Sequence, residues 1–552
     1  MYILGINAAF HDSSAALLRD GEPIAAVEEE RFTHVKHGKR PMPLLSFQLP
    51  FHAIASCLEM GGITLGEVDR IAYSFDPSLV RDGCSGFGRY EEAFLDGIRA
   101  APRLISEDAP HHLLRRLGGA PAAGALRFMD HHISHAGSAY YASGFEEAAV
   151  LTLDGRGERT TSFLGHGRGA EIEELSRVEY PDSLGLLYER VTSHLGFLNS
   201  SDEYKVMALA SSGDDRFVGA FREALDCGEG RYRVAPMDLA AIAGPARRPW
   251  EPLEEQHYAL ARAAQVVVEE TALELCRWLS EATGSRNLCM AGGVALNCVM
   301  NGRIRDEGPF EQLFVQPAAG DAGTSLGAAL AVFAQETGTM PPFRMRHAYL
   351  GPGYSEDEVL RALRRGRLRF TRPADIAAAT AEILAQDKIA GWFQGRMEFG
   401  PRALGARSMV ASPRDPAMKD RLNAIKDREE FRPVAPAVLA ERAGDYFQDA
   451  APDPFMLFVR DVRPGRAGEI ASARHVDGSA RVQTVSQDQS PEFHRLISEH
   501  ERLTGIPVVV NTSLNSLGRP IVCSPQDAIE CYCTSPLDAL AIGPFLLQKD
   551  EA

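Results

Sequence analysis

His131, His135 and Asp154 are the residues whose types and spacing point most directly to chemistry. They share one stretch, MDHHISHAGSAYYASGFEEAAVLTLD, at residues 129–154. His131 and His135 stand four positions apart among small and aromatic residues, so a helix would put both imidazoles on one face. The apolar run 148–153 reads as a buried strand that delivers Asp154 at its end, and Gly155-Arg156-Gly157 turns the chain there. Two imidazoles and a carboxylate suit a divalent transition metal, because magnesium and calcium favour all-oxygen shells. A zinc-protease helix would need glutamate directly after the first histidine, and that position is His132. Asp321 lies on a Gly-flanked loop after another strand, where α/β folds place ligands. It either completes the metal shell or caps the helix behind it.

The elements that must position these residues read as follows. Strands are predicted at 2–7, 14–18 and 23–27, with Asp20-Gly21 as a hairpin turn. Between the first two lies the polar loop 8–13, whose backbone N–H groups can grip a phosphate and whose tip carries His11, a candidate base. Residues 28–37, EEERFTHVKH, read as the start of a charged surface helix. Residues 148–165 repeat the strand–turn–strand pattern of the N-terminus. Two such units suggest a duplicated ribonuclease-H-like fold of the actin and sugar-kinase type. A break between helices near 183–211 holds Glu203 and Lys205, candidates for nucleotide or acceptor contact. A long helix at 257–283 ends at Gly284, and a strand at 287–291 runs into Gly292-Gly293, with Asn297 close behind. Such a Gly-Gly turn lets backbone approach a phosphate or adenosine closely. Thr324 or Ser325 is the expected cap of the helix after Asp321. Residues 337–354, with two Pro-rich breaks, read as an interdomain linker.

The second domain is expected to open with a helix at 376–386 and a strand at 389–393. A basic loop follows, with Arg396, Arg402 and Arg407 framed by glycine and proline. Lys426, Arg428 and Arg432 come next, then Arg474, His475 and Arg481, and Asn511 after a buried strand at 506–510. Planar guanidinium forks match phosphate and carboxylate oxygens.

A chain of 552 residues is too long for one core, so two or three domains are expected. The formal net charge of −17 disfavours a general nucleic-acid binder, which needs a basic face. No apolar run is long enough to span a membrane, and the N-terminus enters a strand pattern without a signal-peptide n-region. Nine scattered cysteines form no CxxC pair, so a reducing, cytoplasmic setting is expected.

With these residues in place, the chain resembles the ATP-dependent O-carbamoyltransferases of nodulation and antibiotic tailoring, the NodU/CmcH (TobZ-like) family. The resemblance runs almost end to end, through FHDSSAAL, EEERFTHVKHG, DHHISHAGSAYY, TLDGRGE, KVMALA, GGVALNCVMNG, PAAGDAGTSLGAA, GPRALGARS, REEFRPVAP, HVDGSARVQT and NTSLNSLGRPIV. One departure from the family's pattern is Tyr204, a position where a small residue is common in it. The resemblance implies an α/β chain with an N-terminal actin-like (ASKHA) domain at 1–345, similar to metal-binding threonylcarbamoyl transferases, and a C-terminal YrdC-like adenylating domain at 346–552. It implies His131, His135, Asp154 and Asp321 as ligands of Fe(II), and His11 as the base. Lys36, Gly292, Gly293, Asn297 and Gly320 would meet carbamoyl adenylate or acceptor. Arg402, Arg407, Arg432, Arg481 and Asn511 would hold carbamoyl phosphate and ATP, with Mg(II) as companion of the nucleotide. The implied activity is transfer of a carbamoyl group from carbamoyl phosphate, through carbamoyl adenylate, to a hydroxyl of a small natural product. The implied partners are those small molecules, with no nucleic acid and no membrane, and a homodimer is left open. A tRNA threonylcarbamoyl transferase is the alternative; the acidic charge and the fused arginine domain speak against it. A non-enzymatic actin-like ATP binder would not need both sets of catalytic residue types.

Overall fold

The computed structural model describes residues 1–549 except 41, 82–86, 107–115 and 120. The chain divides into two compact units, Met1–Met345 and Arg346–Ala552.

The first unit contains the same sheet twice. In the first repeat, β1 (Tyr2–Asn7), β2 (Ser14–Arg19) and β3 (Glu22–Glu28) form an antiparallel meander, and β4 (Arg70–Tyr73) and β5 (Leu126–Phe128) add in parallel on the other side of β1. In the second repeat β6 (Glu147–Leu153), β7 (Thr160–Arg168) and β8 (Glu171–Glu179) form the meander. A small ribbon, β9 (Leu225–Gly228) with β10 (Arg231–Val234), intervenes. Then β11 (Asn287–Ala291) and β12 (Gln312–Val315) add in parallel beside β6. The strand orders, β3-β2-β1-β4-β5 and β8-β7-β6-β11-β12, match position for position and direction for direction. The duplicated ribonuclease-H-like arrangement is therefore present in the backbone itself.

Each repeat ends in a helix that follows its last strand, His131–Ser143 and Ala322–Thr337. The two helices pack against each other where neither can carry a side chain. A Cβ on Gly327 would lie 1.8 Å from the Ser134 carbonyl oxygen, and one on Gly137 2.9 Å from that of Gly327. Alanine, serine and glycine along both helices permit this approach. The cap of the second helix differs from expectation. Asp321 is the N-cap yet makes no side-chain capping bond, while Thr324 and Ser325 lie inside the first turn. Thr324 instead donates to the Asp321 carbonyl, 2.6 Å away, and to Ser74 Oγ at 2.9 Å.

The segment read as a charged surface helix start is largely interior. Glu28, Glu29 and Arg31 are buried. Arg31 pairs with Glu28 at 2.9 Å and with Glu30 at 2.7 Å. The Glu29 carboxylate accepts from Ala53 N at 2.8 Å and so serves the open N-terminus of the Phe51–Gly61 helix. Burial of a charge demands such pairing: Arg31 finds it within three residues, whereas Glu29 meets a helix start 24 residues on.

The second unit holds a seven-stranded mixed sheet. Its strands are β13 (Ala390–Phe393), β14 (Arg407–Ala411), β15 (Ala435–Leu439), β18 (Gln483–Val485), β19 (Val508–Ser513), β20 (Ala539–Ile542) and β21 (Phe545–Gln548). The order is β18-β15-β19-β14-β13-β20-β21, and β16 (Val459–Asp461) with β17 (Ser479–Arg481) forms a separate ribbon. Apolar clusters cover both faces, one around Phe393, Met409 and Leu540, the other around Trp392, Phe493 and Leu496. Asn511 lies within β19, paired with Val410 and Ala435, rather than after the strand.

Candidate active site

The four donors come two from each repeat. His131 and His135 occupy the first turns of the helix after β5, whose start is held by Asp130, accepting from Ile133 N at 3.0 Å, and by Glu158, accepting from His131 N at 3.0 Å. Asp154 follows β6, and Asp321 precedes the helix after β12. Their ligand atoms all lie within 4.8 Å of one another, and all four residues are buried. The two Nε2 atoms are 3.2 Å apart, and His131 Nε2 stands 3.7 Å from Asp154 Oδ2 and 3.5 Å from Asp321 Oδ1.

The surroundings fix these atoms as acceptors. His131 Nδ1–H donates to the Ser74 carbonyl at 3.2 Å, which leaves the Nε2 lone pair facing inward. Asp154 Oδ1 accepts from Gly293 N at 2.7 Å, which turns Oδ2 toward the histidines. Burial opposes charge on the carboxylates of Asp154 and Asp321, but His131 and His135 outweigh it at Asp154, and His11, then His131 and His135, outweigh it at Asp321, so both are held below the usual range. Burial likewise depresses His131, and Asp321 and Asp154 reverse that and raise it well above normal. A histidine that ligates a metal must be neutral, and the buried cluster then carries two negative charges. A divalent cation that accepts nitrogen and oxygen donors fits this set, since it compensates both charges and satisfies two lone pairs that otherwise face each other.

His11 lies on the β1–β2 loop, the counterpart in the first repeat of the Asp154 turn. Burial would push its imidazole down, yet the carboxylates of Asp321, Asp12 and Asp154 raise it to about 10. Its Nδ1 is 3.0 Å from Asp12 Oδ2. Lys36 Nζ donates to Ser201 Oγ at 3.4 Å and stands 5.6 Å from the centroid of the Tyr204 ring. Glu203 and Lys205 begin a helix, Glu203–Ala210, rather than lying in a break; Lys205 pairs with Asp202 at 3.1 Å, and burial raises Glu203 to about 6.

The Gly-Gly turn has a different use from the one expected. Gly292 N donates to the Ala319 carbonyl and Gly293 N to Asp154, so neither amide is left for a phosphate. A Cβ on Gly292, at φ 92, would lie 2.1 Å from the Leu153 carbonyl oxygen. The turn therefore positions Asp154. Asn297 caps the Cys298–Glu307 helix through Met300 N at 3.0 Å and exchanges amide hydrogen bonds with Gln265. Both ends of its side chain are thus used by the fold. Gly320 lies beside Asp12, where a Cβ would be 3.8 Å from Oδ2.

In the second unit the basic loop is built around a buried carboxylate. Glu398 Oε1 accepts from the backbone N of Leu404, Ala406 and Arg407, at 2.7, 2.7 and 3.2 Å. Asn511 Nδ2 donates to the Ala403 carbonyl at 3.1 Å and to Gln483 Oε1 at 2.7 Å, which ties the loop beside Arg402 to the sheet. Arg407 is a correction to the sequence reading. Its guanidinium is buried, lies 3.6 Å over the Phe393 ring, and donates to the carbonyls of Pro352, Gln394, Gly395, Ala406 and Cys523. All five N–H groups are taken by backbone, so it braces the loop and has none for an anion. Arg432 lies 3.6 Å from Glu429, and Arg481 ends β17 with its Nε buried without a hydrogen-bond partner.

Two groups take roles that the sequence analysis did not assign. Lys426 Nζ is buried and donates to Ser513 Oγ at 2.9 Å, to the Ser513 carbonyl and to Asn515 Oδ1. Burial, with the charges of Arg428 and Arg432, holds it well below the usual lysine range. This joins Lys426, Arg428 and Arg432 in one strongly positive locality against the end of β19. The available signal is the paired two-residue spacing of Lys426 with Arg428 and of Ser513 with Asn515. The other group is Asp12 with His37, whose ring contacts Asp12 at 2.7 Å; His37 stands in the EEERFTHVKHG motif with its role unread.

The fold and the two residue clusters define a two-part α/β protein with a buried nitrogen–oxygen donor set in one part and a cationic locality in the other. The sequence matches the family described as carbamoyltransferase N-terminus over residues 2–93 and 121–330, and carbamoyltransferase C-terminus over 381–549. The chain is 39% identical over 608 residues to an uncharacterized protein of Synechocystis, covering 99% of this chain and 97% of that one. It is 39% identical over 569 residues to nodulation protein NolNO of Sinorhizobium fredii, covering 99% of this chain and 80% of that protein. The chain belongs to the carbamoyltransferase family. Among solved structures, HypF of T. kodakarensis overlaps 61% of this chain and 48% of its own at 14% identity and a TM-score of 0.34, too loose a match to add to the topology above. Among the described residues no helix is long and apolar enough to cross a membrane.

Proposed function

We propose that the protein is an ATP-dependent O-carbamoyltransferase that makes carbamoyl adenylate in the second unit and passes its carbamoyl group to an alcohol in the first, as a tailoring step on a natural product. The observation that carries this reading is the convergence of His131, His135, Asp154 and Asp321 beside His11, within a chain of this family.

In the second unit, Arg402, Arg432 and Arg481, with Arg428, bind carbamoyl phosphate and the MgATP phosphates, while Lys426, its three N–H groups taken by Ser513 and Asn515, braces the end of β19 beside them. Their charge stabilises the phosphoryl oxygens as one water cleaves carbamoyl phosphate to carbamate and phosphate, and as a carbamate oxygen then bonds the α-phosphorus of ATP while pyrophosphate leaves. Glu398, Arg407 and Asn511 keep the loop that carries Arg402 in place. Carbamate is short-lived in water, so excluding water there is useful.

In the first unit, His131, His135, Asp154 and Asp321 would hold an iron(II) ion, which supplies Lewis-acid polarisation of a carbonyl oxygen when bound. Lys36 meets the adenylate phosphate. With the charges of Asp321 and Asp154 compensated by a divalent cation, these two carboxylates no longer hold His11 protonated, and its neutral imidazole takes the proton of the incoming hydroxyl at Nε2. The alcohol oxygen bonds to the carbamoyl carbon as the bond from that carbon to the phosphate oxygen breaks, and AMP departs with the electron pair.

The test is turnover of ATP to AMP and pyrophosphate, followed with labelled carbamoyl phosphate across a panel of hydroxylated acceptors by mass spectrometry. AMP formation that requires carbamoyl phosphate, with a carbamoyl mass increment on an acceptor, is expected. AMP formation that instead requires threonine and bicarbonate would overturn the reading in favour of threonylcarbamoyl chemistry.

A further inference from the structure

His11 does not stand alone on its loop. Its Nδ1 is 3.0 Å from one oxygen of Asp12, and His37 Nδ1 is 2.7 Å from the other. His37 Nε2 is 2.9 Å from Ser201 Oγ, which also accepts from Lys36 Nζ at 3.4 Å. The two rings lie 6.1 Å apart and nearly perpendicular, with the carboxylate between them. A continuous run of hydrogen bonds thus joins the base of the proposed transfer to the lysine of the adenylate.

The backbone is held out of its ordinary range to make this contact. Asp12 has φ 50 and His37 φ 67, both in the left-handed region. Non-glycine residues occupy that region at a cost, and such positions persist where the surroundings over-determine them. Here Asn7 Nδ2 donates to the carbonyls of His11 and Asp12, both at 3.0 Å, and His37 N donates to Glu30 Oε2 at 2.6 Å. Both ends of the Asp12–His37 contact are therefore strained and both are pinned.

We propose that Asp12 and His37 are positioning residues for His11: Asp12 holds the Nδ1–H of His11 so that its Nε2 lone pair is the free one, and His37, oriented by Ser201, holds the second oxygen of Asp12. Resting on the transfer reading above, this names the groups that set the tautomer of the base. When the hydroxyl proton reaches Nε2, His11 becomes an imidazolium whose Nδ1–H still points at a carboxylate, so the positive charge forms next to a fixed negative one. No electron is exchanged, and the proton leaves again to solvent or to the departing AMP phosphate. Other charged groups facing His11 are Asp321 and Asp154 from the second repeat, Glu189 from the Leu184–His194 helix and Glu203 from the Glu203–Ala210 helix. They act on its charge, whereas only Asp12 among them is hydrogen-bonded to it.

The experiment is long-range proton–nitrogen NMR on full-length protein labelled at histidine, with Zn(II) as a diamagnetic ion; signals are assigned by loss in His11→Ala and His37→Ala. Neutral His11 and His37 are expected as Nδ1–H tautomers. Asp12→Asn should lower the His11 titration midpoint by about one unit or more, the usual effect of removing an adjacent opposite charge. His37→Phe should raise it, and His37→Gln, which can still donate to Asp12, should restore it. An Nε2–H tautomer for His11, or a midpoint unmoved in Asp12→Asn, overturns the proposal. So does loss of both Nδ1 protons on Zn(II) addition, which would make the trio a second cation site. If a variant fails to fold, the tautomer in the wild type decides. None of these signals depends on turnover, so failure of carbamoyl transfer would sink the proposed function and leave this result standing.

Discussion

His131 Nε2 lies 3.5 Å from Asp321 Oδ1, and the two residues hold matching places in the two repeats: one opens the helix after β5, the other stands just before the helix after β12. The donor set is thus a product of the duplication. Each repeat brings one helix start to the same point, and the second adds the end of its first strand.

The two clusters should separate by half-reaction. Arg432→Ala is expected to abolish carbamoyl adenylate formation, while His131→Ala leaves it largely intact and blocks transfer. Pyrophosphate release and carbamoylated product, measured separately, check this; loss of the same step in both variants would contradict a two-site arrangement.

Asp321 distinguishes a ligand from a cap. Its side chain makes no capping bond, so Asp321→Asn should leave the thermal midpoint close to wild type. Divalent-metal affinity should fall by more than about 100-fold, since even groups behind the ligands cost 10–100-fold. Calorimetric metal titration beside a melting curve reads both. A lower melting point with unchanged metal affinity would return Asp321 to a structural role.

Gly327→Ala should destabilise the first unit by about 1–3 kcal/mol, the usual cost of forcing atoms into a packed contact. The new methyl would meet the Ser134 carbonyl, which is backbone and cannot swing away. Metal affinity should fall with it, because pushing the helices apart moves His131 and His135 away from Asp321. Chemical denaturation and metal titration test the pair of effects.

Arg407→Lys should cost about 3 kcal/mol or more, because an ammonium cannot serve five carbonyls and leaves buried acceptors unpaired. Arg402→Lys should instead leave stability near wild type and reduce adenylate formation. Equal stability of the two variants in urea would remove the distinction drawn between them.

His500 should make the second unit acid-sensitive. It is fully buried, and its Nδ1–H donates to the Ile506 carbonyl at 3.0 Å. Burial lowers it from 6.5 to about 4. Between those values the unfolded chain binds the extra proton and the folded one does not, so stability falls as pH drops from 6.5 through about 4. The full loss is about 3 kcal/mol for a shift of this size. His500→Gln should flatten that part of the stability–pH curve, measured by denaturant titration.

Much of this arrangement is legible in the sequence where the signal is local. The alternating and apolar runs of β1, β6 and β11 mark their own bounds, and Gly284 ends its helix in the left-handed conformation as its position suggests. His131 and His135 carry their spacing with them. What is not legible depends on distant partners. Arg407 looks like a surface cation until carbonyls as far along the chain as Pro352 and Cys523 enclose it. Gly292 and Gly293 suggest a phosphate turn, and only the folded chain shows that Asp154 and Ala319 already occupy their amides. His37 meets Asp12 because two strained loops touch, which no periodicity in either segment records.

The division of donors, two on each half of a repeated architecture, has a mechanical corollary. Each half supplies two of the four donors, so a cation held there would tie the two repeats together, and its affinity would gauge how closely their helix starts approach.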